Sequence, residues 1–359
     1  MKIKTITCHD VYNVGASLQA YALALYLHKQ GHEIEIINYK PDYLKHYELS
    51  GVRNPRYDKP VLREVYQILK FPGRLASQFD ARKKAFDDFT RRYLPVGSIT
   101  YRSNDELKKN PPEADLYIAG SDQIWNPVFQ NGKDPAFFLD FVPGDKIRAS
   151  YAASFATTVI PQECEQMISA MVRRLDYVSV RENSAVSIVE KYGVKNAVHV
   201  LDPVFLLSTE EWCEIELPVD VGAPYLFVYD FENDESIRTF AIKKAEEKGL
   251  KIVSMFRADY SDMVISGAGP REFISLIRNA EYVVSNSFHA TAFSILFHVP
   301  FAVFDRNEQI NERMKDILSI TGLYAQNDNP DYKAVEKRIE ARRTISVDYL
   351  EKITCTVKE

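Results

Sequence analysis

Cysteine is scarce. The four in 359 residues (Cys8, Cys164, Cys213 and Cys355) are scattered and form no C-x-x-C, so neither a disulfide framework nor a zinc knuckle is indicated. H-E-x-x-H and D-x-D are missing, and no metal site is expected. The Walker A pattern and G-x-G-x-x-G are missing too, which argues against the commonest forms of ATP and nicotinamide binding. Glycine (14) and proline (17) are too few for a collagen-like or low-complexity chain. A net charge of −5 disfavours nucleic-acid binding driven by bulk charge, so no nucleic-acid partner is expected. The longest apolar run, Phe293–Phe304, is broken by His298 and Pro300 and falls short of the ~20 residues of a membrane span. The opening MKIKTITCHD lacks the apolar core of a signal peptide. The expectation is a reduced, cytoplasmic, soluble protein.

What is present is an ordinary globular composition, 46% hydrophobic and 26% charged, long enough for two domains. Lys2–Thr7 reads as a strand. Leu18–Gln30 reads as a helix, with Leu18, Tyr21, Ala22, Leu25 and Tyr26 at i, i+3, i+4, i+7 and i+8, closed by Gly31. Glu33–Tyr39 is the next strand, completing a βαβ unit. Further strand signals fall at Asp115–Ala119, Arg148–Ser154, Tyr177–Val180 and Ala197–Leu201. A second strand–helix series begins at Tyr225–Tyr229 and continues through Lys251–Phe256, Tyr282–Ser285 and Phe301–Phe304. The fold class expected is α/β, with two Rossmann-like doubly wound domains. Residues 1–207 form the first domain and the Pro/Gly-bearing 208–224 a linker. Residues 225–330 form the second domain, and 331–359 are helices that return to the first.

From about 43 to 112 sheet signals fade and helical ones dominate (Val61–Leu69, Phe79–Tyr93). Between Lys45 and Lys109 there are 15 Lys/Arg against 8 Asp/Glu, +7, which leaves −12 for the rest of the chain. This reads as a basic helical insertion. Its apolar face, Leu62, Val65 and Leu69, is bordered by Lys59, Arg63, Lys70 and Arg74. Packing on the first domain is the plain expectation. Weak contact with the inner face of a membrane is the sharper alternative.

In open α/β sheets ligands bind beyond the carboxyl ends of strands. After 115–119 comes Gly120-Ser121-Asp122-Gln123-Ile124-Trp125-Asn126-Pro127. Asp122, Gln123 and Asn126 supply a carboxylate and two amides, and Trp125 a flat platform for a sugar ring. The bland alternative is a turn with a capping residue and a core tryptophan. After 177–180 comes Arg181, whose planar fork suits carboxylate or phosphate, unless it is spent on an internal ion pair with Glu182 or Asp202. After 282–285 come Asn286, Ser287 and His289, where a helix N-terminus offers free N–H groups to an anion. Asn13 and Gly15 lie in the first loop, after His9. His298 reads as structural. Gly267–Gly269 permits close approach but is also an ordinary β-to-α loop.

The segments NVGASLQAYAL, AGSDQIWNP, RASYAASF, SVREN, LDPVFLL and GPREFISLIRNAEYVVSNSFHATAFSILFHVPF, in this order, resemble the polysaccharide pyruvyl transferase family. The resemblance runs from about Thr7 to Leu323. It implies a fold like that of the GT-B glycosyltransferases. It also implies transfer of a pyruvyl group from phosphoenolpyruvate to two sugar hydroxyls as a ketal, with no other cofactor. The acceptor would be a sugar of a surface polysaccharide or a lipid-linked oligosaccharide. His289 matches the family histidine and Arg181 the arginine that meets the donor's anionic groups. Ser287 stands where characterised members often carry arginine, Ala290 where many have glycine, and Ala156 where glycine commonly follows SYAASF.

The resemblance makes His289 the proton donor to the methylene carbon. Arg181, Ser287, Asn286 and Arg313 become donor-binding candidates, with Arg313 replacing the cation missing at Ser287. Asp122 is the candidate to steer or deprotonate the acceptor hydroxyl. Asn13, Gly15, Ser121, Gln123, Trp125 and Asn126 are the acceptor-site candidates. Two alternatives stand beside this. One is a GT-B glycosyltransferase using a nucleotide sugar. The other, motivated by Ser287, is an inactive relative that binds an anion or sugar.

Overall fold

The protein is represented by a computed structural model that describes residues 1–44, 80–306 and 311–356. Its first half runs β1 (Lys2–Ile6), α1 (Val14–Lys29), β2 (Glu33–Tyr39), α2 (Ala81–Tyr93), β3 (Val96–Tyr101), α3 (Asn104–Lys109), β4 (Leu116–Ala119), β5 (Ile147–Ser150), α4 (Gln162–Val172), β6 (Ser179–Val180), α5 (Asn183–Lys191) and β7 (Val198–His199). The second half runs α6 (Thr209–Ile215), β8 (Tyr225–Tyr229), α7 (Glu235–Lys248), β9 (Lys251–Ser254), β10 (Met263–Val264), α8 (Pro270–Arg278), β11 (Tyr282–Ser285), α9 (Phe288–Leu296), β12 (Phe301–Val303), α10 (Glu312–Thr321), β13 (Gln326–Asn327) and α11 (Tyr332–Cys355).

Two sheets result, ordered β3-β2-β1-β4-β5 and β10-β9-β8-β11-β12-β13. All pairs are parallel except β12–β13. Bridges from Ala149 to Tyr177 and from Ala153 to Val180 carry the first sheet on to the β6–β7 pair. Each sheet has the doubly wound order, which opens a crevice at the carboxyl end where the order reverses. Those points lie between β1 and β4 and between β8 and β11. Three of the strands around them (LYIA, YLFVY, YVVS) are buried at every position, as strands covered on both faces are.

Helix α1 is buried on more than the one stripe its periodicity suggests. Leu23 and Leu27 pack with Ile3, Leu116 and Ile118 of its own sheet. Val14, Leu18, Tyr21 and Ala22 share a cluster with Phe273, Phe288 and Phe293 of the second half. The stripe read from the sequence therefore faces the other domain, and one apolar core runs through the junction.

Three boundaries differ from the sequence reading. The 208–224 stretch is not merely a linker: it holds α6, with a capping box between Ser208 and Glu211. Trp212 of α6 is fully buried against Tyr21 (5.7 Å) and Phe293 (4.9 Å) and donates from Nε1 to the Val204 carbonyl. The 43–112 stretch is not all helical, because its VGSITY segment is β3, the edge of the first sheet. β-Branched Val, Ile and Thr suit that place. The 61–69 helix and its basic border lie outside the described residues. The helices expected over 331–359 are one helix, α11. It packs Val335 on the junction core and Tyr349, Leu350 and Ile353 on the first sheet. Among the described residues no helix is long and apolar enough to cross a membrane.

Gly269 shows what a missing side chain does at the junction. A Cβ there would sit 2.7 Å from Cβ of Ala85, so α2 lies directly on this loop. The glycines at 267 and 269 serve helix packing, while Arg82 of α2 donates to the Ala268 carbonyl at 3.2 Å.

Trp212→Ala is expected to cost about 3–5 kcal/mol, as large-to-small changes in packed cores do. The check is a denaturant titration, and a loss below about 1 kcal/mol would mean that the junction core is not load-sharing.

Candidate active site at the junction

The loops after β4 and β6, the turn after β7 and the N-terminus of α9 meet at the carboxyl ends of the two sheets. Asp202, in the Asp-Pro that follows β7, is their common partner. Its Oδ1 accepts from the Val204 amide at 3.1 Å. Its Oδ2 accepts from Arg181 Nη1 at 2.6 Å and from Ser121 Oγ at 3.2 Å. His289 Nε2 stands 3.6 Å from the same oxygen, too far for a hydrogen bond but close for a charge contact. Arg181 Nη2 and Arg313 Nη1 each lie 3.5 Å from Asp122 Oδ1, so this carboxylate sits between two guanidinium groups. Both arginines also lie over the Phe288 ring, at 4.8 and 5.7 Å.

Asp122, Arg181 and His289 thus converge, with Asp202 and Arg313 linking them. Ser121 supports Asp202 and does not line a sugar site. Ser287 is the N-cap of α9, its Oγ accepting from the Ala290 amide at 3.5 Å. Asn286 is spent holding the neighbouring loop: it donates to Asp230 at 2.7 Å and accepts from the Phe231 amide at 3.1 Å. Asn13 caps α1, accepting from the Ala16 amide at 3.2 Å.

Trp125 is no platform. It is 0% exposed, stacks on Phe138 at 5.2 Å and donates to the Phe137 carbonyl. Asn126 is likewise buried, donating to Gln123 at 2.8 Å and accepting from the Val128 amide. These residues build the loop that carries Asp122, whose φ of 73° is itself in the left-handed region. Gly15 has a different task from contacting an acceptor. A Cβ on it would fall 1.9 Å from His289 Nδ1, so only glycine lets α1 approach the imidazole. The N-termini of α1 and α9 therefore both bracket His289.

Burial opposes ionisation of Asp202, yet His289 and Arg181 outweigh it and hold the carboxyl well below its ordinary range. Asp122 is depressed in the same way: Arg181, His289 and Arg313 overcome its burial. Glu182 is raised by burial, which Arg181 and a hydrogen bond from Ser154 offset only in part. Arg313 is lowered to about 10 by burial and by repulsion from Arg181, with Asp122 and Glu182 compensating incompletely. Its Nε, Arg181 Nε and His289 Nε2 are buried without hydrogen-bond partners among the described residues. Arg181 does form the internal ion pair with Asp202, and it also points at Asp122.

Asp202 is the residue that sequence reasoning undervalued. The available signal was an aspartate just past a strand end, already a candidate partner for Arg181. Among the described residues no cluster of His, Cys, Asp and Glu could hold a metal ion.

A family model described as polysaccharide pyruvyl transferase matches residues 13–308. No curated protein matches the sequence. Among solved structures, the chain is similar to a putative UDP-N-acetylglucosamine 2-epimerase from Listeria monocytogenes. Identity is 10% and the TM-score 0.53, over 100% of this chain and 91% of that one. It is also similar to a UDP-GlcNAc 2-epimerase from Methanocaldococcus jannaschii, solved with UDP-GlcNAc and UDP. There identity is 13% and the TM-score 0.50, over 99% of this chain and 100% of that one. At these identities the likeness shows the fold alone, two Rossmann-like domains in the GT-B arrangement.

The pH dependence of stability follows from these carboxyls. Asp202 and Asp122 titrate below their unfolded values, so they stabilise the fold above those values and stop doing so as pH falls through the native ones. Glu182 acts in the opposite sense, since protonating it relieves a buried charge. Asp202→Ala is expected to cost about 3–5 kcal/mol at neutral pH, because it strands the Arg181 charge. Asp202→Asn should flatten the loss of stability below about pH 4, where ordinary aspartates titrate. Denaturant unfolding across pH tests both, and an unchanged acid limb in Asp202→Asn would refute the assignment.

Proposed function

The chain belongs to the polysaccharide pyruvyl transferase family, and from that premise we propose that the junction transfers a pyruvyl group from phosphoenolpyruvate to two hydroxyls of a sugar acceptor. The observation that carries the reading is the incompletely compensated charge of Arg313. It is buried beside Arg181 and a histidine, with the N-termini of two helices facing the same place. Such a constellation favours a small, highly charged anion. Phosphoenolpyruvate has a carboxylate and a phosphate to offer the two guanidinium groups, which share Asp122 at 3.5 Å each, Arg181 being also paired with Asp202 at 2.6 Å.

The chemistry then runs on this chain's own groups. His289 gives a proton to the methylene carbon from Nε2, the ring nitrogen that makes no hydrogen bond among the described residues. This leaves an oxocarbenium-like centre at the neighbouring carbon. One acceptor hydroxyl adds there, phosphate departs with the electron pair of its C–O bond, and the second hydroxyl closes the ketal. Of the two hydroxyl protons, one restores His289 and the other leaves with phosphate. Asp122 is held ionised and is a poor base, so it suits accepting a hydrogen bond from the acceptor hydroxyl better than removing its proton. The acceptor class implied is a sugar of a surface polysaccharide or a lipid-linked oligosaccharide, and the setting the cytoplasmic side of the cell. Any contact with a membrane surface would fall to the basic 43–112 stretch.

The test is phosphate release from phosphoenolpyruvate with a panel of sugar and glycolipid acceptors, with the ketal identified by mass. His289→Ala should lower kcat by about 10²–10⁴-fold, the usual worth of general acid catalysis, with little change in melting temperature. Arg313→Ala should act chiefly on the KM for phosphoenolpyruvate. A thermal shift with a UDP-, GDP- or CMP-sugar and none with phosphoenolpyruvate would favour the glycosyltransferase alternative. Binding of phosphoenolpyruvate with no turnover on any acceptor would favour the inactive relative.

A further inference from the structure

Helix α10 reaches across the junction with two side chains one turn apart. Arg313 and Asp316 stand at i and i+3, so both leave the same face. Arg313 meets Asp122, in the loop after β4. Asp316 meets a second place in the first domain, and its two oxygens are used separately. Oδ1 accepts from the Asn183 amide at 3.1 Å, and Oδ2 lies 2.9 Å from His199 Nε2. The His199 nitrogen is also 3.0 Å from the Arg181 carbonyl oxygen. Two oxygen acceptors at those distances require the proton to be on Nε2, which donates to both.

Asn183 is the first residue of α5, directly after Arg181 and Glu182. The residue that should cap this helix is Glu182, and its side chain makes no capping bond. It is turned instead to Ser154 and Arg181. The orphan amide that every helix start presents is therefore satisfied by a carboxylate from the other domain, with the sign the helix dipole prefers. Nothing in the catalytic scheme uses Asp316 or His199, yet their side chains are only 15% and 14% exposed.

We propose that Asp316 is an interdomain latch and a positioning residue. By capping α5 and holding His199, it sets α10 at the distance that delivers Arg313 to the site and fixes the strand end that carries Arg181. The effect on donor binding rests on the function proposed above, whereas the latch itself does not. The two bonds hold α10 to the first domain at one edge of the junction, so losing them frees α10 to shift while the apolar core keeps the domains together. Arg313 leaves with it, and the donor site loses one of its two cations.

The experiment compares full-length Asp316→Ala and His199→Ala with the parent chain. Lys315→Ala, an exposed neighbour paired with Glu312 on the same helix, is the control. Without any donor, hydrogen exchange at the Asn183 amide should speed up by about tenfold in Asp316→Ala, as loss of a helix cap implies. Amides of α10 should also exchange faster in both variants. With phosphoenolpyruvate, KM should rise about tenfold while kcat changes by less than about threefold. His199→Gln, whose amide nitrogen can replace Nε2–H, should restore the parent KM. If Asp316→Ala does not fold, Asp316→Asn decides together with His199→Ala: it keeps an acceptor for Asn183 but turns an N–H toward His199, and should show the raised KM without the faster exchange at the Asn183 amide. Unchanged exchange in α10 and unchanged KM in His199→Ala and either Asp316 variant would overturn the latch. Faster exchange in α10 with no response to phosphoenolpyruvate would uphold the latch and reject the donor.

Discussion

The Asp202 carboxylate ties the site together. It is fully buried, and one of its oxygens serves Arg181, Ser121 and, through charge, His289, while the other fixes the turn at Val204. Those partners come from the loop after β4, the end of β6 and a helix of the second domain. A buried carboxylate is costly unless each lone pair is used. Asp202 meets that condition by drawing four separate segments to one point, and the geometry of His289 follows from it.

Around this anchor the charges are arranged so that compensation is good at the base and poor at the rim. Arg181 has carboxylates on three sides, and Asp202 is its closest. Among the described residues Arg313 meets a carboxylate at Asp122, at 3.5 Å, and it stands near a like charge. A guanidinium in that position gains from an incoming anion more than one already paired. Both guanidinium groups also lie within cation–π range of Phe288, which restrains two long side chains before any ligand arrives.

The junction is also where the fold spends its apolar surface. Helix α1 is covered on one side by its own sheet and on the other by α8 and α9, with Trp212 wedged between. The same helix presents Gly15 to His289. Packing and chemistry therefore share an element: the helix that seals the core also brings its positive end to the imidazole. Helix α11 closes the arrangement by crossing from the second domain back to the first sheet, bonding Arg342 to the His199 carbonyl and Tyr349 to the Ser150 carbonyl.

The doubly wound character of both halves, the strands around the switch points and the positions of Asp122, Arg181 and His289 after strand ends were legible in the sequence. Periodicity and strand-to-loop transitions are local properties, and the crevice rule converts them into a place. The partners of those residues were not legible. Trp125 and Asn126 have the chemistry of a sugar site, but only the packing of Phe137, Phe138 and Val128 around them shows that they are spent on the loop. The edge strand β3 was hidden because VGSITY pairs with β2 across a separation of about sixty residues, and its flanks are helical and basic. Gly15, Asp202 and Asp316 owe their importance to contacts made 274, 87 and 133 positions away, with His289, His289 and Asn183. The sequence by itself determined which residues stand at the ends of strands. Which of them are free to meet a ligand was decided by tertiary structure, because burial and charge compensation depend on neighbours that the chain brings together only on folding.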